Sequence, residues 1–301
     1  VEPFAQEFPN RFLNIGVAEQ NLAGVAAGLA SSGKVVFTYS IGNFPTLRCL
    51  EHIRNDICYH QAAVKIVAVG GGMAYGSLGM THHATEDLAI MRALPGMEVI
   101  APGDPIETTL ATRAIVTRPG PCYLRLGKVG EPVVHDEPPP FTVGKALTLS
   151  RGSDVTFVST GGMLAAAVQA AEQLGQTGLS VGVVSMPTIK PLDADCLRAV
   201  AGQCELIVTV EEHNVIGGLG SAVSEVLVGV HGSQVGLKKV GVQDRFYEEI
   251  GSQEYLRAQT GLTVEQLVNA AETSLAERRS TNGQPEKPIR KQRESVTRGK
   301  A

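Results

Sequence analysis

The chain has 301 residues, a formal net charge of −4, a hydrophobic fraction of 43% and five cysteines. That length suits about two domains, and the mildly negative balance excludes a basic nucleic-acid-binding surface. No apolar run reaches the roughly 18 residues of a membrane span and no signal-peptide pattern opens the chain. The cysteines lie mostly in apolar stretches without CxxC pairing, which fits buried thiols in a reducing cytoplasm rather than disulfides or metal ligands.

In chain order, the apolar run 12–17 reads as a strand leading into a small-residue helix over 22–29, with Glu19 at the junction. An acid there either decorates a helix N-terminus, where negative charge is favourable, or meets a ligand in a desolvated pocket. Spacing alone favours the first. β-branched runs then recur at 34–39, 64–69, 97–101, 122–126, 154–159, 180–186, 206–211 and 238–242. Helical periodicity separates them at 47–59, 86–94, 105–117, 164–174, 194–200 and 221–228. This alternation predicts an α/β fold of two doubly wound, mostly parallel sheets. Asp104-Pro105-Ile106-Glu107 supplies an N-cap, a first-turn proline and an acid three residues after the cap. The proline run in HDEPPP (135–140) is the one clear linker. It divides the chain into domains at 1–138 and 139–277, with a basic, disordered tail at 278–301. The chain begins with Val1 and enters structured-looking sequence almost at once, so we expect an N-terminal strand to be missing upstream.

Four stretches carry candidate chemistry: the Glu19 junction and three others. In GSLGMTHHATED (76–87), adjacent His82 and His83 point to different sides and make a poor chelating pair. His83 with Glu86 or Asp87 lacks further ligands for a metal, and the two acids are explained by a helix start. In CYLRLGK (122–128), Arg125 ends an apolar strand, where ligands collect in parallel sheets. Its planar fork suits a phosphate or carboxylate, and a surface salt bridge is the equal alternative. EEHNVIGGLGSA (211–222) does not complete a dinucleotide fingerprint and reads as a tight strand-to-helix connection. Neither a P-loop, a GxSxG elbow, zinc spacing nor a GDG triplet occurs.

Taken in order, FLNIGVAEQNLAG, GSLGMTHHATEDLAIMRALPGMEVIAPGD, CYLRLGK and EEHNVIGGLGSAVSEVL resemble the C-terminal half of thiamine-diphosphate-dependent transketolases, especially those encoded as two subunits. The resemblance spans about residues 5–270. It implies a pyrimidine-binding domain followed by a C-terminal domain, with the diphosphate-binding domain and its magnesium motif on a partner subunit. Glu19 would contact N1′ of thiamine diphosphate, and Phe44 would stack on the aminopyrimidine with Arg48 facing the same cleft. His82 would line the substrate channel and act on the donor's oxygens, and Arg125 would contact a sugar phosphate or other anionic terminus. The implied activity is transfer of a two-carbon ketol unit from a ketose to an aldehyde. The implied cofactors are thiamine diphosphate and Mg²⁺, in an α2β2 assembly. Leu78 stands where many members carry an aspartate that reads substrate hydroxyls, which points to a deoxy or otherwise altered sugar. Leu50 stands where a tyrosine is common. A 2-oxoacid dehydrogenase E1 β subunit, a deoxyxylulose-phosphate-synthase-like enzyme and a non-catalytic assembly subunit are the alternative readings.

Overall fold

Parallel neighbours cannot be joined by hairpins, so each strand that extends such a sheet brings a crossover with it. The computed structural model, which describes residues 1–230 and 234–281, resolves the alternation into ten strands. These are β1 (Val36–Ile41), β2 (Val64–Val69), β3 (Glu98–Ile100), β4 (Cys122–Leu126) and β5 (Leu147–Ser150), then β6 (Val155–Ser159), β7 (Val181–Ser185), β8 (Thr188–Lys190), β9 (Leu206–Asn214) and β10 (Gly236–Val242). They form two five-stranded sheets, ordered β1-β2-β4-β3-β8 and β10-β9-β6-β7-β5. Every pairing is parallel except β3 with β8 and β5 with β7, both antiparallel and at a sheet edge. Register is set by burial: β2 pairs Val36↔Val64 on one side and Lys65↔Cys122 on the other.

The helices that cover these sheets are α1 (Glu2–Glu7), α2 (Glu19–Ser31), α3 (Leu50–His52), α4 (Asp87–Ala93) and α5 (Pro105–Val116), then α6 (Leu164–Gln176), α7 (Ala194–Ala201), α8 (Leu219–Val228), α9 (Gln253–Thr260) and α10 (Val264–Thr281). At α5 the N-cap is as expected: Asp104 Oδ1 accepts from Glu107 N at 2.7 Å. None of the described helices is long and apolar enough to cross a membrane.

Three expectations change. Residues 12–18 form no strand; Gly16 takes φ +74° and the Leu13 and Val17 side chains face solvent. Glu19 therefore follows a loop, not a strand. The helix expected over 47–59 is broken into a 3₁₀ turn (Leu47–Cys49), α3 and a π-helical turn (Ile53–Cys58). The wider turn lets Ile53, Ile57 and Cys58 all face the core. Finally, α10 continues through Arg278 to Thr281, because Leu267, Ala271, Leu275 and Arg279 fall on one buried stripe. Arg279 pairs with Glu205 (Nη2 to Oε1, 2.8 Å) and with Asp154. The rest of the expected basic tail lies outside the described residues.

The two sheets are interlocked. β8 comes from the second half of the chain but completes the first sheet, and Lys190 Nζ donates to the carbonyls of Arg92 and Leu94. In the other direction Met73, on the loop after β2, is fully buried in the core of the second sheet.

Candidate active site

Glu19 is the first residue of α2, preceded by Ala18, which offers no side-chain cap. An acid that served only the helix dipole would stay in water; Glu19 is 8% exposed. It lines a small apolar cavity of about 10 Å³ with Ala23, Cys49, Ile53, Ile57 and Ile66, room for one water at most. Burial, with the Glu19 charge adding to it, pushes the neighbouring Cys49 thiol up to about 11. The Glu19 carboxylate makes one ion pair, accepting from Arg48 Nη1 at 2.8 Å. Arg48 is half exposed and its guanidinium lies 4.9 Å from the centre of the Phe44 ring. Phe44 in turn meets the His82 ring edge-on at 5.3 Å between centroids.

The loops explain how four residues distant in sequence meet. Phe44 and Arg48 follow the carboxyl end of β1, where Thr46 Oγ1 donates back to Gly42 O at 2.8 Å and fixes the turn. His82 sits on a second loop, after β2, built of two 3₁₀ turns (Gly76–Leu78 and Met80–His82) around Gly79 at φ +80°. Thr81 Oγ1 lies 3.1 Å from His82 Nδ1, and Asn43 Nδ2 donates to Thr81 O at 3.4 Å, tying the two loops together. His83, beside it, is buried, its Nε2 meets no partner, and burial lowers its proton affinity. Cavity size alone would point elsewhere, since a space of about 580 Å³ opens at Arg54, Tyr59 and Pro95. The Glu19 cluster forms a wall rather than a pocket.

Arg125 does not join this wall. It is buried between the two sheets, where Nε donates to Asp87 Oδ2 at 2.8 Å and Nη2 to the carbonyls of Ala84 (2.8 Å) and Glu212 (2.9 Å). Arg125 makes an ion pair, as one of the two sequence readings has it, but buried rather than at the surface. Tyr123 Oη donates to the same Asp87 oxygen. Reading Asp87 as a dipole acid missed this; the signal was a Tyr-x-Arg pair on one face of a buried strand. Glu211 and His213 are buried nearby. Burial raises Glu211 to about 7, and its carboxylate accepts the Leu219 and Gly220 amides at the start of α8. Burial lowers His213 to about 4.

Among the described residues, one group could hold a metal ion by proximity, Asp104, Glu107 and His135. Its oxygens are already used. Asp104 Oδ2 accepts the Val134 and His135 amides, and Glu107 takes Gly103 N through one oxygen and His135 Nε2 through the other. The group latches the start of the linker onto α5.

A buried acid at a helix start, an aromatic ring near it and a histidine on a facing loop are thus carried together by two interlocked α/β domains. The family described as the transketolase pyrimidine binding domain matches residues 1–129, and the transketolase C-terminal domain matches residues 144–267. An apulose-4-phosphate transketolase subunit from Actinobacillus succinogenes is 35% identical over 271 residues, 90% of this chain and 87% of its own length. The 6-deoxy-6-sulfo-D-fructose transketolase subunit SqwH of Clostridium sp. strain MSTE9 is 40% identical over 271 residues, covering 90% and 83%. A solved split-gene transketolase, an inactive beta4 tetramer, superposes with a TM-score of 0.85 at 42% identity, covering 92% of this chain and 88% of that one. The chain belongs to the transketolase family, as one subunit of a heteromeric transketolase-type transferase.

Proposed function

We propose that this chain supplies the pyrimidine-binding wall of a thiamine diphosphate site and transfers a two-carbon ketol unit from a ketose to an aldehyde. The diphosphate and Mg²⁺ are held by a partner subunit carrying the diphosphate-binding domain, in an α2β2 assembly that works in the cytoplasm. The observation that carries this reading is the burial of Glu19 on an apolar floor with Phe44 and His82 assembled around it.

The residues fit the cofactor's pyrimidine end. Glu19 offers a carboxyl at the edge of an apolar surface, and Phe44 offers a ring to stack against. Arg48 now covers that ring and pairs with Glu19; being half exposed, it can swing aside and keep its charge against the site's polar rim. When bound, thiamine diphosphate supplies the carbon nucleophile and the electron sink for cleaving the ketose. Glu19 would contact the ring nitrogen of the bound pyrimidine and share a proton with it, from the edge of the apolar floor. His82, held by Thr81 and by the edge of Phe44, is placed to donate to and orient the donor's oxygens. Arg125 contributes by fixing the loop that bears His82 rather than by gripping an anion.

Leu78 is half exposed at the turn before His82 and cannot accept a hydrogen bond from a sugar hydroxyl. A site without that acceptor gains nothing from an unmodified hydroxyl. The names of the two relatives, for apulose 4-phosphate and for a sulfonated deoxyfructose, support an altered sugar as donor. Calorimetry of thiamine diphosphate with Mg²⁺ tests the reading on this chain alone and mixed with the diphosphate-domain subunit. Tight binding only in the mixture is expected; no binding in either would return Glu19 to a helix-start acid and the chain to a non-catalytic role.

A further inference from the structure

The loop that carries His82 belongs to the pyrimidine-binding domain, yet both of its ends are gripped by the other domain. At its start, a Cβ on Gly76 would meet Leu256 of α9 at 2.2 Å, and Gly251 N donates to Gly76 O at 3.4 Å. At its end, Asn214 N at the tip of β9 donates to Thr85 O at 2.8 Å. Ala84 pairs antiparallel with Gly72 (N to O, 2.8 and 2.9 Å in the two directions), and its carbonyl also receives Arg125 Nη2.

Glu212 of β9 is the hub. Its Oε1 accepts the amide of Met73 at 2.7 Å, next to the Gly72–Ala84 pair, and its backbone carbonyl accepts Arg125. Its Oε2 receives Arg257 of α9 through Nε (2.8 Å) and Nη2 (2.6 Å), and Gln253 Nε2 reaches both oxygens. The approach is too close for side chains on the facing loop. A Cβ on Gly72, at φ +67°, would fall 2.6 Å from the Glu212 carboxyl, and one on Gly71 would fall 2.7 Å from Arg125 Nε. A carboxylate buried this deeply is tolerated only because donors from both domains saturate it. Between the two gripped ends, residues 77–83 meet the first domain through the Asn43 bond to Thr81 and the edge of Phe44, while the ends fix where the stretch leaves and returns.

We propose that the C-terminal domain sets the position of His82, with Glu212 as the positioning residue that fixes the histidine loop from across the domain junction. The proposal rests on the reading of His82 as a group that meets the donor. The catalytic half-site and its splint are then parts of one mechanical unit. The C-terminal domain, none of whose described residues belongs to the Glu19 wall, acts on turnover by holding the loop still.

The test is amide hydrogen exchange, read by mass spectrometry on the full chain. Glu212→Gln is expected to raise exchange of residues 76–86 by about tenfold or more, while the α2 amides around Glu19 keep the parent rate. In the enzyme assembled with its diphosphate-domain subunit, the same variant should lower kcat about tenfold, with the dissociation constant for thiamine diphosphate within twofold. A folded Glu212→Gln chain with parent exchange at 76–86, or with exchange raised evenly across both domains, overturns the proposal. If that variant does not fold, Gln253→Ala, which removes one donor and leaves the Arg257 and Met73 bonds to the carboxylate in place, carries the same test: a smaller selective rise supports the splint and parent exchange overturns it. Loss of the separate reading of His82 would show as parent turnover in His82→Ala, and would leave the exchange result unaffected.

Discussion

The Glu19 wall and the junction around Glu212 are both built from buried charge, and they are finished in opposite ways. At the junction the charged groups are bonded mostly to one another and to the backbone: Glu212 receives four donor contacts from Arg257 and Gln253 and one from Met73, Arg125 distributes its donors over Asp87, Ala84 and Glu212, and only Asp87 Oδ1 among these oxygens is left without a partner. At the wall, Glu19 has one partner, a half-exposed arginine that also rests on the ring beside it. Leu13, Val17, Phe37, Tyr39 and Leu47, from segments near the wall, remain in solvent. On the proposed reading, the heavily bonded groups serve the fold and the acid with one substitutable partner serves a ligand. A charge whose bonding is complete belongs to the fold; one with a substitutable partner is held for something that arrives later.

The largest way to break this contrast is Glu19→Gln. In the assembled enzyme, turnover should fall about a thousandfold, while subunit assembly and the thermal midpoint stay at parent values; unchanged turnover would make Glu19 architecture after all. Arg125→Met should do the reverse. It strands Asp87 without its cation in the interior, and urea unfolding should show a loss of about 3–5 kcal/mol, with the KM for the donor little changed in whatever enzyme still folds. A stable Arg125→Met chain with a sharply raised donor KM would move Arg125 back to the anion-binding role read in the sequence. His82→Ala removes one hydrogen-bonding group from the wall, so kcat/KM for the donor should drop about ten- to a hundredfold at unchanged stability. The smallest effect is at the linker latch. The Glu107 hydrogen bond raises the His135 imidazole above its usual value, opposed by burial. The bonus from charged His135 is thus complete below about pH 6.5 and lost as pH rises through the higher folded value. Glu211, raised to about 7, also costs stability as pH climbs from the ordinary carboxylate range. The latch is therefore read as the difference between parent and His135→Gln melting profiles, about 2 °C near pH 6 and shrinking as pH rises through the folded value of His135.

Much of this was legible in the residues, because burial and periodicity speak locally. β2 and β4 fall on the β-branched runs 64–69 and 122–126, and the cap at Asp104 begins α5. What escaped was settled by tertiary contact. β8 is three residues bounded by Pro187 and Pro191, too short to show a period, and its place beside β3 comes from the other half of the chain. The run 12–17 is apolar enough for a strand but has no neighbour to pair with. At the site, Glu19, Phe44, Arg48 and His82 were found together through the order of motifs, and the geometry brings them into one cluster. Arg125 was ambiguous because a strand-end arginine looks the same in sequence whether it faces a ligand or a buried aspartate 38 positions away.

The exchange of β8 also bears on how the molecule is made. A chain emerging from the ribosome has four strands of its first sheet when residue 126 is out, but the edge of β3 stays open until residue 190 follows. Over that interval the nascent protein exposes an unpaired strand, the surface most prone to pair with the wrong neighbour. The two halves therefore mature together, and cutting at the proline run would release a first domain with its seam unsewn.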